Sequence, residues 1–184
     1  MKNLKTIIIL AFILINVKVN SQNPQRMLME SVLSGNIEAV EYWISQGANI
    51  NKKYVGEYSV NGMDFETTKL NEMPLHAALA ASNADMIVFL LDKGADPNVE
   101  NGFGSSPIQY LATKSHHLVM QNKDCGFESN RDIKIAQALV NKKADLNGKV
   151  FGKRTLTIAK EYSKYRPSDK DGFVAFLIKN GAKE

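Results

Sequence analysis

One phrase recurs four times along this chain: Gly47-Ala48-Asn49-Ile50-Asn51, Gly94-Ala95-Asp96-Pro97-Asn98, Lys143-Ala144-Asp145-Leu146-Asn147 and Gly181-Ala182. Each copy follows an apolar stretch of helical spacing, at 40–44, 87–91, 135–140 and 173–178. A glycine just after a helix supplies the left-handed residue that a Schellman or αL cap needs. The Asn and Asp that follow it are turn formers. A chain stopped in the same way at four helix ends is built from repeated units. Such units bury their apolar faces against their neighbours rather than around one centre. The third copy carries Lys143 where the glycine belongs, so its cap is expected to be strained, different or absent.

Upstream of the second stop stands Met73-Pro74-Leu75-His76-Ala77-Ala78, and upstream of the third Ser106-Pro107-Ile108-Gln109-Tyr110-Leu111-Ala112. Pro74 and Pro107 are 33 residues apart. Proline at the first helical position is pre-organised for the helix and lacks only an N–H that would be unpaired there. Ser106 can cap its helix; Met73 cannot. Small Ala78 and Ala112 let paired helices approach closely.

A 33-residue period with a T-P-L-H-x-A start and a G-A-D-x-N finish resembles the ankyrin repeat, a β-turn followed by two helices. The second unit matches best, above all in the run from Leu90 to Asn98 (LLDKGADPN). The first keeps Gly35-Asn36-Ile37-Glu38-Ala39-Val40 where the family has G-H-x-E-I-V, but offers Arg26-Met27-Leu28-Met29 in place of T-P-L-H. The third and fourth match in pieces. The resemblance covers residues 25–184. It implies an all-α ankyrin-repeat solenoid of stacked helix-turn-helix units with β-turn fingers, the repeats falling at about 25–51, 73–98, 106–147 and 154–184. It also implies that His76, the histidine of the T-P-L-H position, bonds backbone of a neighbouring unit rather than acting in catalysis.

The stops lie 47, 49 and 38 residues apart, so each interval exceeds one repeat and contains an insertion. The first lengthens the finger between Asn51 and Met73, where polarity alternates on both sides of Asn61-Gly62. Asn-Gly between alternating segments predicts a hairpin closed by a two-residue type I′ turn. Pairing about that turn sets Val60 opposite Met63 and Tyr58 opposite Phe65, with Glu57, Ser59, Asp64 and Glu66 on the other face. An isolated hairpin is marginal in water, so its apolar face is expected to pack on the solenoid or on a partner. The second insertion, at 116–130, holds His116, His117, Asp124 and the one cysteine, Cys125. No pair there has a recognisable metal-ligand spacing, so it reads as a loop continuing the first helix of its unit. The third, at 162–170, is short, basic and aromatic and reads as another loop.

Residues 1–21 differ from the rest. Lys2 and Lys5 precede an apolar run from Thr6 to Ile15, and Val19 and Ser21 suit a cleavage site before Gln22. This is the pattern of a secretory signal peptide. The run is about half the length a helix needs to span a bilayer, and an uncleaved membrane anchor is the alternative. The expected organisation is a signal peptide at 1–21 and an ankyrin repeat domain at 22–184. The protein is then secreted or periplasmic, with no stable membrane anchor after cleavage. Removing Lys2, Lys5 and Lys18 leaves 20 of the 23 basic residues against 19 acidic ones, so the formal charge of +4 falls to about +1. Nucleic acid is therefore not an expected partner. A chain that is 44% hydrophobic and 23% charged, with 12 Gly and 5 Pro, is neither collagen-like nor highly charged and disordered, and a lone cysteine excludes an internal disulfide framework.

No G-x-S-x-G, H-E-x-x-H, Gly-rich phosphate loop or C-x-x-C is present, so no enzyme activity, catalytic residue, cofactor or metal is expected. The concave face and fingers of a solenoid instead form a surface for a protein partner. On the first helices the expected exposed positions are Glu30, Leu33 and Ser34, then Ala77, Ala80 and Ala81, then Tyr110, Thr113 and Lys114. The first two rows are small or mild, which shifts affinity to the fingers. Aromatics are the usual anchors of interfaces. The candidate partner-binding residues are therefore Tyr58, Phe65, Phe103, Tyr110 and Phe151, with Lys114 and the acidic Glu57, Asp64 and Glu66. The expected function is an exported, non-catalytic protein-binding module. One alternative is a periplasmic inhibitor or immunity protein that neutralises a toxin or hydrolase, its acidic hairpin face imitating a polyanionic substrate. The other is an enzyme or metal-binding protein using the 116–130 insertion.

Overall fold

The computed structural model describes residues 23–59, 67–119, 129–163 and 172–184. Among them the chain forms eight α-helices in four successive pairs: α1 (Pro24–Ser34) with α2 (Ile37–Ser45), α3 (Pro74–Ala80) with α4 (Ala84–Asp92), α5 (Pro107–Val119) with α6 (Ser129–Asn141), and α7 (Thr155–Ser163) with α8 (Gly172–Lys179). The first helices stack in the order α1, α3, α5, α7, and α4, α6 and α8 stack behind them. With little strand present, this is an all-α repeat fold.

Side chains that point between the layers make one continuous core. Leu28, Met29 and Val32 of α1, Leu75, Ala78 and Leu79 of α3, Ile108, Leu111 and Ala112 of α5, and Leu156 and Ala159 of α7 are all buried. Leu90, Leu139 and Leu177 close it from the second helices. Ala77, expected on the concave surface, is buried as well. In the seven-residue helix α3 only Ala80 and the following Ala81 reach solvent, because α3 is packed between α1 and α5.

The starts of α1, α2 and α4 are capped by asparagine. Asn36 Oδ1 accepts from Ala39 N–H at 2.9 Å, and Asn83 Oδ1 accepts from Met86 N–H at 3.0 Å. Met73 gives α3 no side-chain cap. Ser106, expected to cap α5, does not do so: its buried Oγ has no partner among the described residues. Gln109 reaches back instead, its Oε1 accepting from Ser106 N–H at 2.9 Å. This is the return half of a capping box.

All four stops are built alike. The alanine N–H of each donates five residues back, Ala48 to Trp43, Ala95 to Leu90, Ala144 to Leu139 and Ala182 to Leu177, at 2.9 to 3.0 Å. Gly47, Gly94 and Gly181 have φ between 91° and 94°, and Lys143 adopts φ 69°. The third cap is thus present and left-handed, held by a residue with a Cβ.

The last asparagine of each stop ties its unit to the next. Asn51 Nδ2 donates to Gly94 O at 3.0 Å while its Oδ1 accepts from Asp96 N–H at 2.8 Å. Asn98 does the same with Lys143 O at 3.3 Å and Asp145 N–H at 2.6 Å. Asn147 does so with Gly181 O at 3.3 Å and Lys183 N–H at 2.7 Å. At the first stop a glutamine takes this place: Gln25 Oε1 accepts from Asn49 N–H and its Nε2 donates to Asn49 O and Lys52 O, all at 3.0 Å. Ion pairs between second helices, Lys93 with Glu41 at 2.5 Å and Lys142 with Asp92 at 2.9 Å, run parallel to this ladder. Being exposed, each contributes about 0–1 kcal/mol.

In the first finger, β1 (Tyr54–Ser59) and β2 (Thr67–Glu72) pair antiparallel, from Tyr54 opposite Glu72 to Ser59 opposite Thr67. This register differs from the one centred on Asn61-Gly62. Tyr58 stands opposite Thr68, not Phe65. The ribbon is fixed at its base, where the buried Tyr54 ring lies over Gly56 and β1 packs on α1. That anchorage leaves residues 60–66, which lie outside the described residues, between the strands. The Val60–Met63 pair, the turn itself, Asp64, Phe65 and Glu66 fall among them. The third finger contains a second, minimal pair, β3 (Lys149–Val150) with β4 (Lys153–Arg154).

Candidate functional site

The second finger is organised by one asparagine. Asn101 Oδ1 accepts from Phe103 N–H and Ser105 N–H, both at 3.0 Å. The Asn101 carbonyl accepts from Gly104 N–H, and its own N–H donates to Ser105 O, again at 3.0 Å. With Gly104 at φ 71°, the loop turns sharply and leaves the Phe103 side chain 75% exposed.

Ser105 O accepts a second bond, from His76 Nε2–H at 3.0 Å. A carbonyl can only accept, so Nε2 carries the proton, and Nδ1 is a buried acceptor without a partner among the described residues. Burial is the main cause that lowers the His76 pKa to about 4, opposed by the Ser105 bond. Such a histidine is neutral at physiological pH and positions the finger. The half-buried Tyr110 ring meets it edge-on, centroids 6.0 Å apart at 90°. Burial, and then the neighbouring Glu72 carboxylate, push the Tyr110 hydroxyl up. Glu72 is itself raised by burial, against the Met73 N–H that it accepts at 3.0 Å and the attraction of Lys53.

The third finger repeats the second. Phe103-Gly104 and Phe151-Gly152 each stand just before a first helix, the glycine three residues ahead of Pro107 or Thr155. Gly152 has φ 76°, and Phe151 itself has φ 51°. Phe151 is 81% exposed. Ammonium groups accompany both tips. A Cβ at Gly102 would lie 3.8 Å from Lys53 Nζ, and Lys149 and Lys153 flank Phe151 in the β3–β4 pair. Lys153 also binds Glu161 at 2.7 Å.

Of the residues predicted to bind a partner, Phe103 and Phe151 thus stand at equivalent tips, and Tyr110 lies half-buried on α5. Tyr58 and Glu57 lie in β1 opposite Thr68 and Lys69, and Lys114 lies in α5; the side chains of these three are outside the described residues, as are Asp64, Phe65 and Glu66. Sequence reasoning missed Val55, 73% exposed in β1, and Lys53. Val55 follows the buried Tyr54, and alternation along a strand was its available signal. The recurrence of Phe-Gly ahead of two helices was the signal that makes the tips equivalent.

Among the described residues no group of three His, Cys, Asp or Glu is placed to hold a metal ion, and no helix is long and apolar enough to cross a membrane. The apolar run at 6–15 and Cys125 lie outside them. The family model for ankyrin repeats (3 copies) matches residues 3–101, more than half of the chain. No curated protein matches the sequence closely enough to be compared with it.

Proposed function

The chain belongs to the ankyrin repeat family, and from that premise we propose that it is an exported, non-catalytic module that holds a protein partner across its concave face and fingers. Ankyrin repeats usually mediate protein–protein contacts. The observation that carries the assignment to this surface is where apolar area is left in water. Val55, Phe103 and Phe151 are the three most exposed large apolar side chains among the described residues, ahead of Tyr42 and Ile178, and all three belong to fingers. Exposed aromatic anchors on a rigid frame mark an interaction surface. The frame is rigid because each unit is bonded to the next through Asn51, Asn98 or Asn147. Export rests on the basic start, the apolar run and the small residues up to Ser21.

Site-specific photo-cross-linking tests the surface. A photoreactive residue at Val55 or Thr113 is expected to capture protein, and one at exposed Gln137 on α6 is not. Capture at Gln137 alone, or none at any site, would overturn the assignment. Amino-terminal sequencing of the protein recovered from the producing cell tests export, with Gln22 as the expected first residue.

A further inference from the structure

Resting on the protein-binding reading, we infer that the second and third finger tips take one kind of partner: an extended acidic protein segment carrying two apolar side chains three residues apart. The two phenylalanines are the anchors. They occupy equivalent positions in adjacent units, each ahead of a left-handed glycine, and both project most of their surface into water. Units stacked through their helices repeat at about 8–10 Å. An extended polyproline II segment advances about 3.1 Å per residue and returns to the same side every third residue. Side chains at i and i+3 of such a segment are therefore about 9 Å apart on one face, which matches the step that helix stacking sets from one unit to the next.

Charge selects the flanks. Lys149, Lys153 and Arg154 of the third finger outnumber its one carboxylate, Asp145, while Lys53 beside the second tip shares its surroundings with Glu100 and Glu72. Lys153 is already engaged by Glu161, Arg154 by Glu184 O at 2.5 Å, and Lys53 is attracted by Glu72, so Lys149 is the cation to which added acid responds most. A basic segment would meet repulsion at the third finger, and a neutral one would gain only from the phenylalanines. The second tip is also preset for binding. Phe103 N–H is fixed by Asn101, and Asn101 is fixed through Ser105 to His76, so little loop entropy is lost on contact.

A random linear peptide library displayed on phage and panned on the full chain tests this. The expected outcome is enrichment of acidic peptides with apolar residues at i and i+3. A synthetic copy of an enriched peptide should lose at least tenfold in affinity with F103A/F151A and several-fold with K149E, the loss growing as salt is lowered. Both phenylalanines are exposed, so the double variant should melt at the wild-type temperature, which separates lost contact from lost folding. Enrichment without acidic bias, or affinity unchanged in F103A/F151A, overturns the inference. So does a result in which the phenylalanines and lysines govern binding to phosphatidylserine vesicles while no peptide binds, for then the tips face a membrane. If cross-linking at Thr113 still captures protein in these cases, the general protein-binding reading stands while this one falls.

Discussion

His76 reaches from α3 into the following finger and donates its Nε2–H to Ser105 O, 3.0 Å away. One bond thereby joins the second unit to the loop that presents Phe103, and the ring that makes it keeps its other nitrogen, Nδ1, bare in a buried site. Protonating that nitrogen adds a charge and a donor with nothing described to receive it. The ring therefore resists protonation by the fold, which ties the stability of this junction to pH.

The expected pH dependence has a definite sign. The folded pKa of about 4 lies below the ordinary 6.5. The stability that His76 contributes is therefore complete above pH 6.5, is lost progressively as pH falls to about 4, and amounts to roughly 3 kcal/mol over that range. Glu72 acts in the opposite sense, since its raised pKa favours the fold at low pH. Urea unfolding of wild type and H76Q between pH 7 and 4 isolates the histidine; glutamine stands at the equivalent position, Gln109, in the third unit. H76Q should flatten the profile across this window. An equally steep loss in H76Q would remove His76 as the cause.

Lys143 makes a second junction weaker than it need be. It holds the left-handed cap conformation that Gly47, Gly94 and Gly181 hold elsewhere, and this region costs a residue with a Cβ about 1–2 kcal/mol. K143G should stabilise the protein by about 1 kcal/mol, after allowing for the greater freedom of glycine in the unfolded chain. G94K should destabilise by a similar amount. The glycine sites have open space around the missing Cβ, so the comparison reports backbone strain rather than collision. Denaturant midpoints measured at constant m-value decide it, and no gain in K143G would count against strain.

Much of this was legible in the sequence, and the reasons are local. Gly94, Pro74 and Pro107 mark conformations that one residue fixes, so the helix pairs and their stops could be read directly. The departure at Lys143 could be read as an anomaly, though not resolved, because a lysine can enter the left-handed region only when neighbouring bonds hold it there. The register of the first finger was misread because Asn61-Gly62 is a local signal, whereas the pairing is set by Tyr54 packing at the base, a tertiary constraint. Ala77 was misplaced for the same kind of reason, a short helix being covered from two sides. Of the candidate site, Phe103 and Phe151 could be named individually. The companionship of Phe103 with Lys53 depends on a fold-back that no spacing reveals.

Asn98 carries the bond between the second and third stops, with Lys143 O at 3.3 Å and Asp145 N–H at 2.6 Å. N98A removes both and should cost about 1–3 kcal/mol, at 0.5–1.5 for each net bond. Because a solenoid couples only neighbours, the loss should be confined. Hydrogen exchange should quicken first at Asp145 and the third cap, while Asp96, held by Asn51, keeps its protection. Uniform acceleration along the chain would show that the ladder does not partition stability by junction.

Gly56 and Tyr54 provide the sharpest packing test. A Cβ at Gly56 would lie 2.5 Å from the Tyr54 hydroxyl oxygen and 2.7 Å from Cζ, and the ring is buried against the first unit. Glycine weakens a strand on propensity alone, yet here the aromatic ring covers it and occupies the space a side chain would need. G56A should therefore destabilise by about 1–3 kcal/mol, the range for overpacking a filled site, despite alanine's better strand propensity. Y54F should not relieve it, because Cζ remains. In a Y54A background the added cost of G56A should fall to near zero, and the difference between the two backgrounds is the coupling energy of the pair. Equal costs in both backgrounds, measured by urea unfolding, would place the penalty in the backbone of β1 and not under the ring.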